Sequence, residues 1–240
     1  MSNKFIKGAG KLGLPSLYKY EDSESFSPIE GEIKIDKQIN RLFIDWIDGE
    51  IHINQRDNLT IREDINTTDK QYRAFYRVKD DELIIRYVEN DTNIGVNHYN
   101  KDLFISLPKK LYERIYIDNI NANIKIKDQE INELKFDNVN GDITINSNVK
   151  TLNINDVGGS IVYYPYLGKY ETNLKLHAVS GDLTIYMNEE SSFRIKSNFV
   201  SGNVSSYLPL DNNQYNNGKS IIQLDVVSGD LKIKKYTKEN

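Results

Sequence analysis

Cysteine is absent from this 240-residue chain, which removes disulfides, thiolate metal sites and cysteine nucleophiles together. Long apolar runs are missing too: none approaches the ~18 residues of a membrane-crossing helix, so no membrane span is expected. There is no surplus of basic charge. Against 31 Lys and Arg stand 35 Asp and Glu, a net charge of −4, and without a basic stripe no nucleic-acid partner is expected. Histidine is scarce: His52, His98 and His177 have no companions at metal-ligand spacing, so neither a metal nor another cofactor is expected. The string GAGK (8–11) lacks the glycine spacing and the Ser or Thr of a phosphate loop, and no GxSxG or nucleophile–base set occurs. No catalytic residue can be named, and the chain reads as a non-enzyme. The opening stretch MSNKFIKGAGKLGLPSLYKYEDS has no apolar signal-peptide core. The chain as written therefore reads as cytoplasmic; removal of an N-terminal anchor would place it at the cell surface instead.

What the chain does have is a repeat. VSGDLTIYM (179–187) returns as VSGDLKIKK (227–235) and VNGDITINS (139–147). Looser copies are VSGNVSSYL (200–208), VGGSIVYYP (157–165), INANIKIKD (120–128), IDGEIHINQ (47–55) and IEGEIKIDK (29–37). Each is centred on a small corner residue: Gly31, Gly49, Ala122, Gly141, Gly159, Gly181, Gly202 or Gly229. Two residues before the corner stands Ile or Val, and two after it Ile, Leu or Val. Four after it the residue is apolar except at Ser206. A second alternating set precedes the corner, with Leu42, Ile115, Leu134, Leu152, Leu174, Ile195 and Ile222 seven residues ahead. Five residues ahead the set is apolar except at Ser197. The buried parity changes just before the corner, so each unit reads as strand, corner, strand and loop. A period of about 20 residues built this way predicts an all-β chain folded as a β-solenoid, a β-helix-like stack of two-strand repeats.

Ala122 at a corner position suggests that the corner needs smallness more than a left-handed backbone, which predicts that Gly181 tolerates alanine. The residue after the corner reads Asn123, Asp142, Ser160, Asp182, Asn203, Asp230 in sequence order. If units stack in that order, a neutral residue separates each pair of aspartates, which avoids like charges in contact. The nine-residue period of calcium-binding solenoids is absent.

Residues 1–27 lie outside the repeat and read as an N-terminal cap or flexible segment, followed by one β-repeat domain over 28–236. Within it, 57–110 read as irregular coils and 111–236 as the regular stack. Trp46 falls on a core position. The 16 tyrosines include a cluster around Pro165, in which Tyr163 is expected to be buried and Tyr164, Tyr166 and Tyr170 form a candidate interaction patch. Lys232, Lys234, Lys235 and Lys238 read as a solvated end that discourages aggregation. Asp142 and Asp182 could sit at the separation of a glycosidase pair, but so would any acidic ladder, and the pairing carries little weight.

The V-S-G-D-hydrophobic-x-hydrophobic units at 179–185 and 227–233, with DGEI at 48–51, DELII at 81–85 and DLFISLP at 102–108, resemble a known family. It is the bacterial putative-adhesin β-strand-repeat family, a domain of unknown function also called toastrack. The resemblance spans about residues 26–236. It implies a β-helix-like stack without known catalytic residues, and it links the chain to domains that accompany envelope-stress and phage-shock-type membrane proteins. The expected function is thus a non-enzymatic protein-interaction scaffold with an unidentified, membrane-associated protein partner. A glycan-binding cell-surface adhesin is the alternative. Edge strands at the ends of the solenoid also predict end-to-end self-association.

Overall fold

The computed structural model describes residues 26–67, 72–87, 101–138, 140–156, 158–165, 172–178 and 180–236. Along the chain run β1 (Ser27–Pro28), β2 (Glu32–Lys34), β3 (Arg41–Gln55), β4 (Thr60–Ile65), β5 (Phe75–Lys79), β6 (Glu82–Arg86) and β7 (Lys101–Leu107). They are followed by β8 (Leu111–Asn138), β9 (Ile143–Asp156), β10 (Ile161–Tyr164), β11 (Asn173–Ala178) and β12 (Leu183–Met187). The last are β13 (Phe193–Ser201), β14 (Val204–Ser206), β15 (Gln214–Tyr215), β16 (Ser220–Ser228) and β17 (Leu231–Lys235). No helix is among these elements, and none in the described residues could cross a membrane. The chain is the all-β solenoid that its repeats predict.

Two parallel ladders carry the stack, one on each side of the corner. After the corner, Ile51, Ile124, Ile143, Ile161, Leu183, Leu231 and Val204 pair in that order. Before it, Leu42 pairs with Ile115, and Leu134 continues through Leu152, Leu174, Ile222 and Ile195. All of these except Val204 are buried. Burying such side chains stabilises a fold by roughly 1.5–3 kcal/mol each, which no isolated unit could gain.

The order in space is not the order in sequence. From the Gly181 coil the chain skips one position to build the Gly202 coil (β13, β14). It then returns to fill the gap with the Gly229 coil (β16, β17), so that β17 lies between β12 and β14. The expected alternation after the corner fails for this reason: Asp182 and Asp230 are neighbours. Lys232 compensates them, bonded to Asp182 and 3.8 Å from Asp230. The recurrence of Asn and Asp here has a hydrogen-bonding cause instead. The amide of Asp142 donates to Asn123 Oδ1 (2.9 Å), that of Ser160 to Asp142 Oδ1 (2.8 Å), and that of Asp230 to Asp182 Oδ1 (3.0 Å). A short side-chain oxygen on one coil thus satisfies a corner amide on the next.

The corner also explains its glycines more fully than smallness does. Gly141 has φ +138° and Gly229 φ +146°. A Cβ would lie 2.2 Å from the Ala122 carbonyl oxygen at Gly141, and 1.9 Å from that of Gly181 at Gly229. Ala122, inside continuous β8, does not share the positive φ and is the exception rather than the rule. Gly181, at φ +156°, follows the glycine pattern, so the inference of alanine tolerance from Ala122 does not carry over. Gly31 stands apart. It precedes β2, which runs antiparallel to β4, and no atom would lie within 4 Å of its Cβ.

The N-terminal end has its own detour. β6 and β7 form a coil stacked on β3, matching Leu42 with Leu83 and Ile51 with Leu103. Antiparallel β5 and β4 then close over β6 and β7, with β1 and β2 at their margins. Trp46 is fully buried and donates from Nε1 to the Lys101 carbonyl (3.3 Å). The Lys101 ammonium, also buried, donates to the Tyr87 carbonyl and lies 3.9 Å from the centre of the Tyr87 ring. Burial pushes its pKa down to about 8, against the attraction of the Glu63 carboxylate. Burial raises Glu63 in turn, opposed by hydrogen bonds from the Ala74 amide (2.7 Å) and Arg73 (3.0 Å).

Two outcomes are expected. Gly229→Ala combines backbone strain with a clash and should lower the unfolding free energy by about 3 kcal/mol or more, whereas Ala122→Gly should cost about 1 kcal/mol. Urea unfolding measures both, and equal small losses would remove the close-approach argument. For Lys101, the folded pKa of about 8 lies below the ordinary 10.5, so the unfolded chain binds more protons between those values. Stability should therefore rise with pH across that window. Lys101→Met should flatten the rise; an unchanged rise would assign it to other groups.

Candidate interaction site

The outer surface of the second ladder presents two rows of side chains. Three residues after each corner, one row includes His52, Lys125, Thr144, Val162, Thr184 and Lys232. The other row stands five residues after the corner. It runs Asn54, Lys127, Asn146, Tyr164, Tyr186 and Lys234, and Tyr207 occupies the same position in the outermost coil. The rings of Tyr164 and Tyr186 stack face to face, 4.3 Å between centroids at 14°. Tyr207 is 38% exposed, with its hydroxyl donating to the Met187 carbonyl (2.7 Å). Lys127 and Lys234 are exposed on either side of the tyrosine pair. Four strand spacings of ~4.8 Å put them roughly 19 Å apart.

Of the candidate patch, Tyr164 lies in this row, and Tyr166 and Tyr170 fall outside the described residues. Tyr163 is buried, its hydroxyl 3.1 Å from Thr172 Oγ1. Tyr186 and Tyr207 were overlooked by reading the sequence as local clusters. Aligning the repeats on their corners brings Tyr164, Tyr186 and Tyr207 to one position.

The groups that could carry chemistry are engaged in holding coils together. Asp142 accepts the Ser160 amide, and Asp182 accepts the Asp230 amide. The Lys232 hydrogen bond holds the Asp182 carboxyl below the usual range, opposite to what a general acid needs. His52 lies 2.7 Å from Glu50 and stacks on Phe104, 4.9 Å between centroids at 3°. The Arg62 guanidinium is 4.3 Å from the centre of that same Phe104 ring. His177 Nδ1 is 3.3 Å from Asp225, and His98 lies outside the described residues. Among the described residues no three His, Asp or Glu side chains converge as metal ligands. At the C-terminus, Lys235 pairs loosely with Glu189 (3.6 Å), and Lys238 lies outside the described residues.

The family model described as Toastrack DUF4097 matches residues 130–234. No curated protein matches the chain. Among solved structures, a putative cell adhesion protein from Clostridium sporogenes is 18% identical with a TM-score of 0.49, covering 88% of this chain and 100% of its own. A putative adhesin from Bacteroides fragilis is 12% identical with a TM-score of 0.38, covering 84% of this chain and 94% of its own. A putative lipid binding protein from Parabacteroides distasonis is 13% identical with a TM-score of 0.34, covering 90% and 98%. The match to the toastrack model falls within the regular stack and covers less than half of the chain.

Proposed function

We propose that the chain is a non-enzymatic scaffold that binds a partner protein across the outer face of its second ladder. The observation that carries this is the tyrosine pair, Tyr164 on Tyr186, set in the outer face of the parallel ladder and flanked by Lys127 and Lys234. Tyrosines fixed in place contribute large contact area at little entropic cost, and they are enriched where proteins meet. The stacking geometry supports this reading over sugar binding. A sugar ring packs on the open face of an aromatic ring, and here each tyrosine turns one face to the other. On this reading the partner is a membrane-associated protein, the class that the sequence resemblance points to, and glycan adhesion is the alternative.

The test is an in-cell crosslinking pull-down of the tagged chain with mass spectrometry, beside the double variant Tyr164→Ser/Tyr186→Ser. A specific protein should come down with the parent chain and fall at least about tenfold with the variant, the size expected for hot-spot tyrosines. The variant's thermal midpoint should stay within about 5 °C of the parent. Equal recovery with both, or recovery of wall polysaccharide instead, would contradict the proposal.

A further inference from the structure

The terminal coil has an unfinished margin. β13 is paired along its inner side by β16, from Phe193 with Ser220 to Ser201 with Ser228. On its outer side β15 reaches only Phe193 and Arg194, and the Asn213 carbonyl then accepts the Ile195 amide (2.8 Å). Beyond that point no strand among the described residues covers β13. A groove of about 460 Å³ opens there, lined by Ile195, Lys196, Ser197, Asn198, Gln223 and Asp225, with Asn213 at its end. On the opposite, core-facing side of the strand, Ser197 stands where the other coils carry Ile44, Ile117, Phe136, Ile154, Leu176 or Leu224, so the terminal coil is short of one large side chain.

We propose that this margin, Ile195 to Ser201, is a strand-addition site for an extended segment of another protein in which acidic and apolar residues alternate. The backbone argues for a strand. Residues two apart direct their amides to the same side, so the Ser197 amide faces outward as the Ile195 amide does. Such a row of unpaired groups is what an added strand satisfies. The side chains specify its composition. The gap at Ser197 accepts an apolar residue. On the opposite face of the strand Arg194 and Lys196 are exposed, and Lys175 lies two strands from Lys196, with Gln223 between them. The nearby acid, Asp225, is engaged by Asn198 (3.1 Å) and His177. A second copy docking by the same margin is a poor occupant, since it would bring another Arg194 and Lys196 to it. This site is independent of the tyrosine row, which lies on the other ladder.

Two labelled six-residue peptides, one alternating glutamate with valine and one alternating lysine with valine, test the site by fluorescence anisotropy. The glutamate peptide should bind the parent chain and the lysine peptide should not. Ser197→Pro removes one outward amide without touching the β16 ladder, and it should weaken binding about tenfold or more. Lys196→Glu, at an exposed position, should reverse the preference between the peptides. Binding of neither peptide, or the same affinity for parent and both variants, would overturn the proposal. So would covalent dimers formed readily through Ser197→Cys, since they would show the margin occupied by a second copy.

Discussion

Everything in this fold depends on how closely one corner sits on the next. At Gly229 there is no room for even a methyl group: its Cβ would lie 1.9 Å from the Gly181 carbonyl oxygen. With the corners in near-contact, the strands on both sides are held at ladder spacing and in one register. Ile143, Ile161 and Leu183 then line up without a slip. A one-residue slip would turn every buried side chain to solvent, so the close corner sets the core as well as the turn. The short acceptors after the corner, Asn123, Asp142 and Asp182, serve the same contact by satisfying the amides it brings together.

Coils built to one pattern are interchangeable, and the chain uses that freedom at both ends. β3 has the later β6 and β7 on one side and β8 on the other. β16 and β17 occupy a position between coils made earlier in the chain. The outermost coil therefore needs fewer apolar residues, and it has fewer. Ser197 leaves a gap in the first ladder. Ser206 forms hydrogen bonds with the Leu208 carbonyl (3.0 Å) and amide (3.1 Å), and Leu208 is buried in the core cluster. The two surfaces proposed for binding follow from this plan. The in-register parallel ladder aligns Tyr164 with Tyr186, and an end coil leaves a strand margin open.

The repeat period, the buried positions and the architecture were legible in the sequence, because alternation and a small residue every 20 or so positions have few other physical readings. The order of the coils was not, since VSGDLTI and VSGDLKI fit one another's neighbours equally well. One signal was present: Ser197 and Ser206 both break the apolar rule in the same unit, and a unit polar at two core positions belongs at an end. Gly31 was misread because IEGEIKI mimics the pattern locally, whereas its strand pairs antiparallel with β4. Of the tyrosine row only Tyr164 was found, because proximity in sequence drew attention to Pro165 rather than to the fifth position after each corner. The buried Lys101 gave no sequence signal at all.

The inserted position of the last coil is the central claim, and the absence of native cysteine makes it directly measurable. In the stack Lys232 lies between Thr184 and Ser205, paired with each. Two strand spacings put Thr184 and Ser205 about 10 Å apart, beyond the ~7 Å reach of a disulfide. Under mild oxidation, Ser205→Cys with Lys232→Cys should close within one chain, while Thr184→Cys with Ser205→Cys should remain reduced. Closure of the second pair and not the first would mean that the coils stack in sequence order, which contradicts an inserted last coil.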